Sequence, residues 1–183
     1  MNDIGTLFIL VTRLALGILF ATAAIAKLRN RRDFYAAALA YRLLPPRLAI
    51  KLAVILPWVE AGIAIGLMAG LGIAWHAAAG LLLVYALAMA VNIARGRHDL
   101  DCGCGGPPQP LSIWLVVRNF VLAGAALAAS LLPTAGRSLQ PIDVLIVAGT
   151  VGVLTWLYIT AHRLLAESRA SGRQQGHNAT EDR

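Results

Sequence analysis

Apolar residues fall in long stretches along this chain rather than in alternation. Five such stretches run from about Ile4 to Ala26, Ala49 to Leu71, Ile73 to Ala94, Leu111 to Leu132 and Ile142 to Leu165. Each is long enough to pass the roughly 18 apolar residues that mark a helix able to cross a bilayer. The predicted class is therefore all-α and polytopic, with five spans. The first stretch follows Met1-Asn2-Asp3, which carries no positive charge, and it is long. It reads as a span, not as a cleaved signal peptide. Residues 1–165 are expected to form the transmembrane domain. Residues 166–183 are polar without apolar periodicity, and a disordered tail is expected there.

The connections differ in kind. Gly70-Leu71-Gly72 predicts a very tight turn between the second and third stretches. Between the first and second lies a basic segment with Lys27, Arg29, Arg31, Arg32, Arg42, Arg47 and Lys51. Within it, Phe34 to Tyr41 is too short to span and is flanked by charge, which predicts a short interfacial amphipathic helix. Pro45-Pro46 is expected to end that helix, because proline lacks the amide donor and restricts the residue before it. Ala61, Gly62, Ala64, Gly66, Ala69 and Gly70 are small enough to let helices approach closely.

Composition agrees with a membrane protein. The chain is 58% hydrophobic and 14% charged, with a mean hydropathy of +0.70. Its net charge of +7 reports orientation and contact with anionic lipid. No zinc-finger, helix-turn-helix or aromatic RNA-binding pattern accompanies it, so no nucleic-acid partner is expected. With five spans, the basic clusters at Lys27–Lys51, at Arg95 and Arg97, and in the tail share one side. The positive-inside rule puts that side in the cytoplasm and the N-terminus outside. A bacterial inner membrane is the expected location.

The loop after the third stretch carries the chemistry. Asp101-Cys102-Gly103-Cys104-Gly105-Gly106 contains both cysteines of the chain, one residue apart, at the edge of the bilayer. A disulfide needs Cα atoms about 4.4–6.8 Å apart, so this pair must sit on a turn. Gly103 can take the dihedrals such a turn needs. A small strained ring tends to be labile or catalytic, and a stable structural disulfide is not expected in the cytosol. Arg95, Arg97 and Arg118 favour the thiolate, whereas Asp99 and Asp101 oppose it. Thiol–disulfide redox chemistry at Cys102 and Cys104 is the leading reading, which makes the chain a candidate oxidoreductase. Two alternatives stay open. One is soft-metal binding through His98, Cys102 and Cys104, with Asp99 or Asp101 adding oxygen. The other is a non-enzymatic assembly factor whose loop only docks a partner.

Arg13, Glu60 and Arg118 lie well inside spans, where charge is costly and faces a partner or the bundle interior. At 1.5 Å per residue, Glu60 lies about 13 Å deep from the loop side, Arg118 about 9 Å and Arg13 about 21 Å. A Glu60–Arg13–Arg118 cluster beneath the cysteine loop is expected. His76 falls toward the opposite side, as an interfacial or packing residue.

Three segments resemble a known family. Arg13 to Phe20, followed by Ala24 to Leu28, is similar to the first helix of the DoxX-like membrane proteins. Leu56-Pro57-Trp58-Val59-Glu60, and Asn92 to Arg97 followed by Asp101 to Cys104, resemble the MauE branch. The likeness covers about residues 4 to 132. It implies a four-helix-bundle core plus one extra transmembrane helix, and a redox accessory role alongside a thioredoxin-like partner. The implied client is a secreted, disulfide-rich protein such as methylamine dehydrogenase. Family members often carry an aromatic residue after the second cysteine, where this chain has Gly105. Because such clients lie outside the membrane, thiols on the cytoplasmic face would need a relay, for which a quinone is a candidate cofactor. A homo-oligomer is a further candidate arrangement. Glu60, Arg13, Arg118, Asp101 and Asn92 are the residues expected to support the thiol pair.

Overall fold

A computed structural model describes residues 2–97, 99–103 and 110–132, together with Gly149 and Gly152. The chain falls into two units, Met1–Arg137 and Ser138–Arg183. All five helices below belong to the first. They are α1 (Asn2–Arg29), α2 (Arg31–Ala40), α3 (Pro46–Met68), α4 (Gly72–Ala94) and α5 (Ile113–Leu131). Four of them, all but α2, are long and apolar enough to cross a membrane. The expected fifth span and the tail lie outside the described residues.

The four long helices form a bundle. α1 packs chiefly on α3 and α4 chiefly on α5, while α3 against α4 and α1 against α5 close the ring. Small buried residues permit these approaches. A Cβ on Gly66 of α3 would come within 3.0 Å of the Ala74 Cβ on α4. Ala64 and Gly66 face inward as expected, whereas Gly62 is exposed and lies against nothing. The outer face is strongly apolar, with Ile65, Ile73, Val84 and Trp58 among the exposed side chains. A surface of this kind is stable in lipid and would drive association in water.

The helix ends are set by local chemistry. After α3, Gly70 takes φ +78°, its N–H donates to the Leu67 carbonyl, and the Leu71 N–H donates to the Gly66 carbonyl. This is a Schellman stop, and α4 begins two residues later, which gives the tight turn. α4 ends the same way: Gly96 at φ +72° donates to Ile93 and Arg97 donates to Asn92. α2 has no buried residue, in keeping with an interfacial helix. Its end differs from the expectation. It stops at Ala40, where Arg42 takes the left-handed φ of 49°. Pro45 and Pro46 instead open α3, with Pro45 as N-cap and Pro46 in the first turn. Proline is well suited to that place, since its missing N–H would be unpaired there anyway.

Candidate functional site

The helix phase of α1 brings one charge into the bundle. Leu16, Phe20, Ala24 and Lys27 are all buried and follow one another at spacings of four, four and three. Lys27 is therefore the last residue of the inward stripe, although it also opens the basic segment. On α3 the stripe Ala53, Pro57, Glu60, Ala64 and Leu67 is buried in the same way. The two stripes meet, and Lys27 Nζ donates to Glu60 Oε1 at 2.6 Å. The two side chains are 3% and 0% exposed, so this ion pair is fully withdrawn from solvent. Tyr85 on α4 adds its hydroxyl, which donates to the same Oε1 at 2.6 Å. Lys27 Nζ also lies 5.3 Å from the centre of the Phe34 ring and 5.5 Å from that of Tyr85. A buried pair needs such extra partners to offset the desolvation of both ions.

The expected Glu60–Arg13–Arg118 cluster does not form. Glu60 is held by Lys27 and Tyr85. Arg13 lies toward the other end of the bundle. Its Nε donates to the Leu67 carbonyl and its Nη2 to that of Met68, both at the last turn of α3. Those carbonyls carry the negative end of the helix dipole, which a guanidinium satisfies. Met68 is eight residues beyond Glu60, or about 12 Å along the axis. Arg118 is half-buried on α5. Lys27 was legible only through the phase of α1, and Tyr85 through its contact with Glu60.

The cysteine loop is fastened to α2 and to the end of α4. Asn92 is fully buried and receives the Arg97 Nη1 on its Oδ1 at 3.2 Å, while its own Nδ2 donates to the Ala88 carbonyl. Arg97 Nη1 also donates to the Tyr41 carbonyl at 3.3 Å. The Tyr41 hydroxyl donates to the Cys102 carbonyl at 3.2 Å. The loop's two arms pair through Asp101 and Pro110, and Leu111 N–H donates to the Leu100 carbonyl. Asp101 Oδ1 accepts from the Gly103 N–H at 3.5 Å, and Gly103 takes φ +67°. Asn92 and Asp101 thus shape the loop, and Cys102 sits half-buried within it. Cys104 and His98 lie outside the described residues. Among the described residues no group of three His, Cys, Asp or Glu side chains could hold a metal. His76 is exposed near the opposite turn, with Nδ1 3.4 Å from the Gly72 carbonyl.

Between Cys102 and Lys27 lies a cavity of about 360 Å³. α2 contributes Phe34, Ala37 and Ala38, α3 contributes Ala53 and Leu56, and α4 contributes Val84, Tyr85 and Ala88. Its wall is almost wholly apolar, with Lys27, Tyr41, Tyr85 and Cys102 the lining residues that carry polar or sulfur side-chain atoms.

A family model described as "Methylamine utilisation protein MauE" matches residues 5–132, which span the bundle and the cysteine loop. The chain belongs to the MauE family. It is 44% identical over 151 residues to the methylamine utilization protein MauE of Paracoccus denitrificans, covering 79% of this chain and 81% of that protein. It is 39% identical over 160 residues to the MauE of Methylorubrum extorquens, covering 85% and 86%. The MauE of Paracoccus versutus is 41% identical over 153 residues, covering 81% and 82%. No solved structure matches the chain. Lys27, Glu60, Tyr85, Cys102 and the cavity walls all fall inside the MauE match.

Proposed function

We propose that this MauE-family chain serves methylamine utilisation as a membrane-embedded thiol–disulfide redox protein. Cys102 and Cys104 cycle between dithiol and disulfide in exchange with a thioredoxin-like partner. Because the loop faces the cytoplasm, a relay across the membrane, such as a quinone, links this exchange to a secreted client such as methylamine dehydrogenase. Exchange proceeds by attack of a thiolate on one sulfur of a disulfide, through a mixed disulfide, with the second thiolate leaving. The observation that carries the reading is the setting of Cys102. It is held by its own backbone on a fastened loop, at the edge of the bundle and on the rim of a cavity. In the bacterial inner membrane, the basic helix ends and the loop face the cytoplasm and the N-terminus lies outside.

The test is replacement of Cys102 and of Cys104 by serine, one at a time, in cells that depend on the pathway. Either change should leave the client's disulfides unformed. The single-cysteine forms should trap a mixed disulfide with the partner. Normal client disulfides and an unchanged partner redox state in both variants would sink the reading. An impermeant maleimide applied to intact cells reads the sidedness: protection until lysis is expected.

A further inference from the structure

We propose that the cavity between Cys102 and Lys27 binds the head ring of a membrane quinone. This deepens the redox reading and rests on it for the electron-transfer step, while the binding itself stands on the cavity. Four features point to a ring with a carbonyl oxygen. The volume of about 360 Å³ falls at the small-molecule end of ligand cavities, which start near 300 Å³. The wall is apolar, which suits a ring carrying hydrocarbon. Lys27 lines it, is 3% exposed, and spends one N–H on Glu60 Oε1. An ammonium has three donors, so it can give another to a carbonyl oxygen in the cavity. Phe34 and Tyr85 flank that ammonium and supply flat faces for a ring.

A lipid acyl chain would fill the same apolar volume but has no use for a buried cationic residue in its lining. The cavity also reaches the lipid-facing surface. Leu44, Leu52 and Val84 line it and are themselves exposed on the outside of the bundle. A hydrophobic ligand can therefore enter sideways from the bilayer. Cys102 lies on the wall, within the same enclosure as the ring. In the redox step the Cys102 and Cys104 thiols lose two electrons and two protons and form one S–S bond. The quinone takes both electrons and both protons and leaves as the quinol. The Lys27 ammonium, donating to the carbonyl, favours the developing negative charge on that oxygen.

The experiment uses the full chain in nanodiscs, titrated with decyl-ubiquinone and read by quenching of tryptophan fluorescence. Saturable binding is expected. Ala88→Phe and Ala38→Phe fill the cavity from two different helices and should abolish it. Lys27→Met should weaken it by about tenfold or more, as loss of a charge-assisted hydrogen bond implies. Because Lys27→Met strands Glu60 and can misfold, the two filling variants carry the test. Non-saturable partitioning, or unchanged binding in both filled variants, would overturn the proposal. So would a stoichiometric phospholipid that the quinone does not displace. Binding is read again on Cys102→Ser protein, which has no thiol pair to oxidise. Retained binding there supports the site whatever becomes of the redox reading. Lost thiol oxidation with intact binding in the native chain would remove the electron-transfer step alone.

Discussion

The two ends of the bundle are built on opposite terms. At the end that carries the α3–α4 turn, Leu16, Phe20, Ile63, Leu67, Ala78 and Leu82 interlock as one apolar core. Arg13, a charge within a span there, is spent on the carbonyls that end α3. At the end that carries the cysteine loop, the same helices hold a buried ion pair and a cavity. Neither feature helps a membrane helix bundle to pack, since packing there rests on close van der Waals contact. The loop end keeps a smaller apolar core of its own around Ala86, Met89, Leu111, Leu115 and Val116, and the larger one lies at the turn end. The loop end is where stability has been given up for a polar group and a space.

The largest effect should come from breaking the ion pair. Lys27→Met leaves the Glu60 carboxylate buried with only Tyr85 to meet it, at a cost of about 3–5 kcal/mol. Thermal unfolding in detergent measures it. Adding Glu60→Gln should recover much of the loss, because the stranded charge is then gone. A double variant no more stable than Lys27→Met would mean that the pair is not the source of the cost.

Phe20→Ala probes the other end. Phe20 is 2% exposed in the turn-end core, and its removal leaves a void there. In lipid the loss is chiefly that of packing, about 2–3 kcal/mol. Its signature separates the two ends. Stability should fall while the alkylation rate of Cys102 stays that of the parent protein. A Phe20 variant that also changes Cys102 reactivity would show that the ends are coupled through the bundle.

The sequence disclosed these two ends unequally. Four of the expected spans, the short helix after α1, the tight Gly70–Gly72 turn and the family were legible, because each rests on a run of many residues or on a local motif. Glu60 stood out as an acid within a span. Its partner did not, because Arg13 and Arg118 lay at suitable depths within spans, whereas Lys27 read as part of the basic segment beyond the first span. Arg13 shares the stripe of Leu16, Phe20, Ala24 and Lys27, so it is height along α1, about 21 Å over 14 residues, that gives Glu60 to Lys27 and the α3 carbonyls to Arg13. The cavity left no local trace at all. It is a property of how α2 lies on α3 while α4 supplies another wall, and residues such as Ala37, Ala53 and Ala88 look like ordinary helix filling.

Gly103→Ala acts on the loop end without touching the ion pair. Gly103 has φ +67°, and a Cβ there would meet the Phe34 ring at an ordinary 3.7 Å. The strain is therefore in the backbone and not in the space, about 1–2 kcal/mol for an L-residue in that region. The bundle's unfolding should move little. The loop's own fastening should weaken, and the equilibrium between the Cys102–Cys104 dithiol and its disulfide against glutathione should shift. An unshifted equilibrium would mean that the turn at Gly103 does not govern the pair.

Tyr41→Phe is the mildest of these changes. It removes one hydroxyl that donates to the Cys102 carbonyl, and keeps the ring that lines the cavity. One such hydrogen bond contributes about 1 kcal/mol. If it holds the loop closed over Cys102, the open population rises by about fivefold. In a Cys104→Ser background a single thiol is read, and its alkylation should speed up by that factor. The melting curve should stay where it was, since phenylalanine keeps the half-buried ring that packs against the loop-end core. Faster alkylation with unchanged stability is the pattern of a loop fastened separately from the bundle that carries it. Equal loss of both would place Tyr41 in the structural half of the molecule instead.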